Sequence, residues 1–342
     1  MNARDARRGT AASHRPVVLV TGANSGIGSA TVAALLERGA AVVATVRSAD
    51  AAAQLLEHLE GDSVDLASLT IEHLDVSDAD RAYLVIERHR PDVLVNNAGH
   101  ALLGAVRDIS IDDARGQLDE LLLGPTHIAL LASTHQIARG EGRIVTVSSV
   151  LAEAQIPFTG WYSAAKAGLE SVTDALRIEL APAGIHVVTV QCGAVGTDAW
   201  EVAGDEVQDG PDPLTAEARG RWADLTDLAR PLFGDPADVG SVIADAALDP
   251  DPRPIYRVGF GSHLGVLMRS TPKWISDAVT TRVLGLTGTE EPYEGPVRLA
   301  RTVLHPVVRI GRWGRSQVSR NSLRRLVPER SEVGNRAEVG TR

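Results

Sequence analysis

The stretch VVLVTGANSGIG, residues 17–28, decides the fold class. The β-branched run Val17–Thr21 predicts a strand, and the Ala/Leu-rich segment Gly26–Arg38 predicts the helix that follows it. Glycines at this junction permit a sharp turn and a close approach of the backbone to a pyrophosphate. The free N–H groups at the start of the helix favour the same anion. The stretch therefore predicts a dinucleotide site at a strand-to-helix turn.

The same alternation continues along the chain. Further strands are predicted over Val42–Val46, Leu69–Leu74, Asp92–Asn96, Arg143–Ser148, His186–Gln191 and Ile255–Val258. Further helices are predicted over Asp50–Leu59, Ser77–Arg88, Asp112–Ala138 with a bend at Pro125, Tyr162–Leu180 and Ala237–Ala247. Strands that alternate with helices indicate βαβ units. We therefore expect an α/β fold of three layers, a Rossmann-type doubly wound parallel sheet of about seven strands, in a single domain with tails.

Composition limits the classes of protein that remain. The chain has 342 residues, a formal net charge of −10 and one cysteine, Cys192. An acidic chain is a poor generic partner for nucleic acid, and a single cysteine forms no internal disulfide. With no run of 18 apolar residues, we expect a cytoplasmic protein. The expected organisation is a disordered leader over residues 1–15, a nucleotide-binding domain over 16–288 with a lid at about 198–235, and a tail over 289–342.

The tail is rich in arginine, with nine arginines and one acid between Pro296 and Arg330. Apolar residues are interleaved with these arginines. One interpretation is a segment that binds a membrane surface or a partner. The other is a partly disordered tail, or one that packs on the acidic body of the protein.

Five motifs follow the glycine turn in a fixed order. They are Asp75-Val76, the NNAG sequence at 96–99, Ser149, the YSAAK sequence at 162–166 and the CGAVGT sequence at 192–197. Together with TGxxxGIG, this series resembles the short-chain dehydrogenase/reductase family over residues 16–260. The sequence RPIYRVG at 253–259, followed by a helical region over Pro272–Leu286, resembles the hydroxysteroid and retinol dehydrogenase-like group.

The resemblance implies a nicotinamide dinucleotide and assigns residues to it. The family's cofactor contacts fall on Gly22, Asn24, Ser25, Gly26, Ile27, Gly28, Arg47, Asp75, Val76, Asn97, Ala98, Gly99, Tyr162, Lys166, Gly193, Val195 and Thr197. An acid at the end of the second strand would bind the ribose of NAD, but that position carries Arg47, which can pair with a 2′-phosphate. NADP(H) is therefore favoured and NAD(H) stays possible. No metal is predicted.

Three residues are predicted to carry hydride-transfer chemistry between an alcohol and a carbonyl. Tyr162 would be the acid/base, Lys166 would lower its pKa and hold the nicotinamide ribose, and Ser149 would position the substrate oxygen. Lys166 follows Tyr162 by one helical turn, so both side chains share a helix face. The predicted pocket suits a hydrophobic alcohol or ketone and is lined by His100, Leu151, Phe158, Trp161 and Trp200. The family also often forms homodimers or homotetramers.

Two positions depart from the family. Leu121 stands where the family has a catalytic asparagine, with Asp119 and Glu120 expected to face other sides of the helix. Cys192 replaces a proline and is expected to act as a small buried apolar residue. The loss of the asparagine leaves an alternative open, a dinucleotide-binding protein with little turnover that acts as a pseudo-enzyme or regulatory subunit.

Overall fold

A computed structural model describes residues 15–60, 64–197, 207 and 210–286. Seven strands form one sheet in the order β3-β2-β1-β4-β5-β6-β7, and each neighbouring pair is parallel. The strands are β1 Val17–Val20, β2 Ala41–Val46, β3 Leu69–His73, β4 Val93–Asn96, β5 Gly142–Ser149, β6 Ile185–Cys192 and β7 Ile255–Val258. Each predicted strand is confirmed to within one residue at either end.

Helices cover both faces of the sheet. They are α1 Gly26–Glu37, α2 Ala49–Glu60, α3 Ala79–His89, α4 Ile111–Leu118, α5 Gly124–Arg139, α6 Gly160–Leu180, α7 Ala216–Ala229, α8 Pro236–Leu248, α9 Leu264–Ser270 and α10 Lys273–Leu284. One buried apolar cluster joins the sheet to α1, α2 and α8, and a second joins the opposite face to α3, α5 and α6. The predicted three-layer, doubly wound α/β fold is confirmed.

The prediction of one long helix bent at Pro125 is wrong in its detail. A π-helical turn, Asp119–Leu123, separates α4 from α5. The N–H of Gly124 donates to the carbonyl of Asp119, five residues earlier instead of the four of an α-helix. Pro125 then lies in the first turn of α5, where its missing N–H is tolerated. The break in the helix therefore lies before Pro125, and it is a π-helical turn that holds one residue more than an α-helical turn.

Part of the predicted lid is described. Helix α7 lies within it, and residues 198–206 and 208–209 fall outside the described residues. The predicted helical region Pro272–Leu286 corresponds to α10. The leader residues 1–14, the tail residues 289–342 and Trp200 also lie outside the described residues. None of the helices described is long and apolar enough to cross a membrane.

Candidate active site

The strand order reverses between β1 and β4, and the crevice at the carboxyl ends of these strands is where ligands bind in open α/β sheets. The Thr21 hydroxyl oxygen accepts hydrogen bonds from the backbone N–H groups of Asn97 and Ala98, each at 3.0 Å. The Asn97 amide donates to the carbonyls of Thr21 and Gly22, also at 3.0 Å. Asn97 thus locks the glycine turn to the NNAG loop, so its amide nitrogen serves the shape of the crevice.

The glycine turn forms a cradle that only glycine can build. Gly22 has a φ of +65°, and a Cβ there would lie 2.6 Å from the Ala98 Cα. A Cβ at Gly26 would lie 2.9 Å from Cγ2 of Thr197, and one at Gly28 would overlap the Gly22 carbonyl oxygen. Ser25 caps α1 by accepting from the Gly28 N–H at 3.0 Å. This open cradle at a helix N-terminus fits the pyrophosphate of a dinucleotide.

The other predicted cofactor residues surround this cradle in different ways. Asp75 is exposed and accepts from the Ser77 N–H at 2.9 Å, whereas Val76 is buried. Asn24 donates to the side chain of Gln54 at 3.3 Å. The side chains of Val195 and Ile27 pack in or against the core cluster beside α1, and a Cβ at Gly193 would overlap the Phe260 carbonyl oxygen. Val195, Ile27 and Gly193 therefore contribute by packing, which sets the shape of the loops that face the crevice.

Just after the end of β2, Arg47 meets an acid that was expected to face elsewhere. Arg47 Nη1 lies 3.5 Å from Oε1 of Glu120, and the Arg47 side chain is 63% exposed. The other oxygen of Glu120 lies 2.7 Å from Nδ1 of His100. The Glu120 side chain is only 13% exposed. The expectation that Glu120 faces away is wrong, and its place in the π-helical turn explains why, since that turn does not follow the α-helical rotation.

Leu121 fills the position of the family's asparagine with an apolar side chain. It is 1% exposed, and a Cβ at Gly99 would overlap its Cδ2 atom. Leu121 therefore packs directly on the glycine of the NNAG loop. No side-chain polar atom at this position can hold a water molecule.

Ser149, Tyr162 and Lys166 lie together at the carboxyl end of β5, as the sequence predicts. Ser149 is the last residue of β5, and its side chain hydrogen-bonds Tyr162 near the start of α6. Lys166 Nζ lies 6.0 Å from the Tyr162 ring centroid and donates to the carbonyl oxygen of Val147 at 3.1 Å. Lys166 is 6% exposed. The arrangement places the phenol of Tyr162 near the hydroxyl of Ser149 and the buried side chain of Lys166.

The pKa values of this group correct one prediction. Burial raises the pKa of Tyr162 to about 12, and the hydrogen bond from Ser149 lowers it only in part. Burial also lowers the pKa of Lys166 to about 8. Lys166 is not among the groups that shift the pKa of Tyr162, so the predicted lowering by Lys166 is not seen. A second positive charge beside the phenol is needed to favour the phenolate at neutral pH.

An apolar wall stands beside Tyr162 and includes residues that the sequence analysis missed. Leu103, Phe158, Val207, Ala218, Trp222 and Leu284 form this buried cluster, against which Tyr162 packs. The rings of Phe158 and Trp222 meet edge to face with centroids 5.8 Å apart. Trp222 lies on α7, and it is the one aromatic residue of the segment 210–230. That isolated aromatic in a predicted lid is the signal that could have identified it.

The remaining predicted pocket residues differ in placement. Phe158 belongs to the apolar wall, Leu151 and Trp161 are partly buried, and His100 instead pairs with Glu120. Cys192 lies next to Ser149 in the β5–β6 register and is 5% exposed within the core. Burial raises the pKa of its thiol to about 12. Cys192 is therefore an apolar packing residue, as expected.

Comparison with known proteins decides the family. The family model described as short chain dehydrogenase matches residues 16–208. The chain belongs to the short-chain dehydrogenase family. An uncharacterized oxidoreductase of Methylorubrum extorquens is 34% identical over 239 residues, which are 68% of this chain and 90% of the relative. An uncharacterized oxidoreductase of Bacillus subtilis is 29% identical over 269 residues, which are 76% of this chain and 95% of the relative.

Solved structures agree with the sequence comparison. A short-chain dehydrogenase from Streptomyces avermitilis superposes with a TM-score of 0.63 at 27% identity, covering 80% of this chain and 96% of its own. This short-chain dehydrogenase is accordingly an NAD(P)-dependent oxidoreductase with a Rossmann-type fold. Membership of the hydroxysteroid and retinol dehydrogenase-like group is not specified by these relatives.

Proposed function

We propose that this short-chain dehydrogenase interconverts a hydrophobic alcohol and its ketone or aldehyde with NADP(H). The observation that carries the proposal is the convergence of Ser149, Tyr162 and Lys166 beside an apolar wall and the glycine cradle. The bound nicotinamide supplies or accepts the hydride. The protein's own part is to hold the substrate and to move one proton.

Tyr162 is proposed as the acid/base and Ser149 as the group that positions the substrate oxygen. In reduction, the Tyr162 hydroxyl donates its proton to the developing alkoxide while Ser149 donates a hydrogen bond to the same oxygen. Lys166 stabilises the phenolate left behind and would hold the nicotinamide ribose. The oxidised nicotinamide would add the second positive charge that the phenolate needs.

For the dinucleotide, we propose contacts at the glycine cradle, at Asp75-Val76, at the NNAG loop and at Thr197. We favour NADP(H) because Arg47 stands at the end of β2, is largely exposed and can turn to a 2′-phosphate. The 3.5 Å contact with Glu120 does not prevent this, since the guanidinium of Arg47 lies on the exposed side of the pair and can rotate away from it. Glu120 nevertheless places a negative charge near the phosphate, so NAD(H) remains the second candidate.

A hydrophobic substrate is proposed from the wall beside Tyr162. Phe158 and Trp222 are 3% and 8% exposed, so the described part of this wall presents ring edges and aliphatic carbon. Phe158 also has a φ of 71°, which is costly for a bulky residue. Its packing against Trp222 offsets that cost and fixes the loop that precedes Tyr162.

The alternative is a dinucleotide-binding protein with little turnover, and Leu121 is the observation that favours it. Calorimetric titration with NADPH and NADH, followed by a panel of acetophenone, 2-decanone and decanal, separates the two. We expect tight NADPH binding, weaker NADH binding and turnover that Tyr162→Phe abolishes with little loss of NADPH affinity. Cofactor binding without turnover of any panel member would favour the alternative. Full activity of Tyr162→Phe would refute the assigned acid/base.

We also propose that the enzyme assembles as a homodimer or homotetramer. Leu130 and Ile137 on α5 are each 48% exposed, and Ile178 on α6 is 69% exposed. Apolar side chains grouped on neighbouring helices indicate a contact surface. Light scattering after gel filtration should give two or four times the chain mass of 36.2 kDa. A monomer at micromolar concentration would rule this assembly out.

A further inference from the structure

A partly buried acid, Glu170, lies one helical turn beyond Lys166. Tyr162, Lys166 and Glu170 are spaced at intervals of four residues on α6, so they share one face of this helix. Glu170 lines a cavity of about 710 Å³. The β5–α6 loop, α6, α9 and α10 enclose that cavity, and neither Tyr162 nor Lys166 lines it. Glu170 therefore lies between the proposed catalytic lysine and a space that can hold water.

A chain of side-chain contacts holds Glu170 in this place. Gln191 on β6 donates to Oε1 of Glu170 at 3.1 Å and accepts from Nε of Arg257 at 3.0 Å. Arg257 on β7 also lies 3.5 Å from Oε1 of Glu153. Glu153 lines the same cavity and its side chain is 7% exposed, while its Oε2 atom has no hydrogen-bond partner among the described residues. These contacts link Glu170 through Gln191 and Arg257 to a second acid at the cavity, Glu153.

The position at which the family has an asparagine cannot take part in proton transfer in this chain, because it carries Leu121. Leu121, 1% exposed and packed on Gly99, offers no polar side-chain atom at the position of the family's asparagine. Reduction of each substrate molecule nevertheless removes one proton from Tyr162, which has to be replaced from solvent. The described residues thus combine a blocked position on one side of Lys166 with an acid and a cavity on the other.

We infer that Glu170 is the residue that passes protons between Lys166 and the cavity. This inference rests on the proposed function and deepens it. In reduction, Tyr162 gives its proton to the substrate oxygen, and Lys166 returns one to the phenolate through a bridging hydroxyl or water. Glu170 then reprotonates Lys166 and recovers its own proton from cavity water. No electrons move along this path. In oxidation each proton moves the other way.

Electrostatics on both sides of Lys166 support the path. Burial raises the pKa of Glu170 above its ordinary value, and its charge in turn raises the pKa of Lys166. Burial also lowers the pKa of Lys166 to about 8, so the two burial shifts bring the pKa values of the two groups closer together, and the charge of Glu170 offsets part of the shift of Lys166. The other charged or titratable groups around the pair and its cavity come from seven elements and comprise Glu120, Glu153, Asp174, Cys192, Arg257, Arg269, Lys273 and Asp277.

The test replaces Glu170 with an uncharged side chain of nearly the same shape. Glu170→Gln keeps a hydrogen bond to Gln191 but cannot carry a proton. We expect kcat for the fastest ketone of the panel to fall about ten-fold, and imidazole buffer to restore it by supplying protons through the cavity. Asp174→Asn is the matched control, since Asp174 lies one turn further on α6 and lines the same cavity. It should keep the kcat and the buffer independence of the unmodified enzyme.

A second measurement does not depend on turnover. The chain has two lysines, Lys166 and Lys273, so ¹³C-lysine NMR resolves both, and Lys273→Arg assigns them. Glu170→Gln should lower the pKa of Lys166 and leave that of Lys273 unchanged. Leu121→Asn should restore part of the lost kcat when combined with Glu170→Gln, because it provides a polar position on the other side of Lys166.

The outcomes separate the two proposals. An unmodified enzyme with no turnover of any panel member refutes the proposed function, while the NMR titration still tests the coupling of Glu170 to Lys166. Glu170→Gln with unchanged kcat, or with a loss that neither imidazole nor Leu121→Asn reduces, overturns the proton path. An unchanged pKa of Lys166 in Glu170→Gln overturns it as well.

Discussion

Lys166→Met should make the protein more stable while it removes activity. Burial lowers the pKa of Lys166 from 10.5 to about 8, so the folded state disfavours the charged lysine. At about 1.36 kcal/mol per pKa unit, this difference costs roughly 3 kcal/mol at pH 7. Methionine has a similar length and carries no charge, but it loses the hydrogen bond to the Val147 carbonyl, worth about 1 kcal/mol. The expected net gain in the free energy of unfolding is about 2 kcal/mol.

Urea unfolding at pH 7 measures this gain, and Lys273→Met is the control. The Lys273 side chain is 72% exposed and pairs with Asp277 on the surface, so its replacement should change stability by less than about 0.5 kcal/mol. The pKa of Lys166 is lower in the folded state, so the unfolded chain binds more protons between about pH 8 and 10.5. The penalty is thus fully present below pH 8 and disappears as the pH rises to 10.5. A Lys166→Met protein no more stable than the unmodified one would refute the reasoning.

Three further predictions concern the cofactor crevice and the apolar wall. Glu120→Gln removes a negative charge beside Arg47, so it should tighten NADPH binding about five-fold and leave NADH binding unchanged. Arg47→Ala should weaken NADPH binding by about ten-fold or more. Calorimetry measures the affinity of both variants for both cofactors, and equal effects on NADPH and NADH would contradict the role assigned to Arg47. Gly28→Ala places a Cβ on the Gly22 carbonyl oxygen. We expect the free energy of unfolding, measured by thermal unfolding, to fall by about 1–3 kcal/mol and cofactor binding to become undetectable. Unchanged stability and cofactor affinity would show that the cradle is not close-fitting. Trp222→Ala removes the ring that packs against Phe158, so it should raise KM for 2-decanone more than for smaller ketones. An equal increase in KM for long and short ketones would exclude this role of Trp222.

Much of the fold follows from local sequence. Runs such as Val42–Val46 are buried on both faces of a parallel sheet, so they are rich in β-branched residues and are easily recognised. The glycine turn could be placed because only glycine fits where Gly22, Gly26 and Gly28 lie. The order of the motifs along the chain then identified Ser149, Tyr162 and Lys166, which the fold brings together at one strand end.

Other parts of the site depend on geometry that local sequence does not contain. Nothing in the segment around Glu120 indicates a π-helical turn, so an α-helical rotation directed this acid away from the crevice in the prediction. The pKa of Tyr162 is set mainly by burial, and burial is a property of the folded chain. Glu170 looks like an ordinary polar residue of an amphipathic helix until the cavity beside it is known.

The π-helical turn also makes this helix tolerant of changes in chain length. Gly124 packs against the Val76 carbonyl, and Asn96 donates to the Pro125 carbonyl at 2.8 Å, so the start of α5 is anchored to the sheet. A deletion of one residue within Asp119–Leu123 could be absorbed by a return to α-helical hydrogen bonding without moving that anchor. Such a deletion would rotate the side chains of Glu120 and Leu121 to other sides of the helix at once. This turn is accordingly a point at which the crevice can be remodelled by deletion instead of substitution.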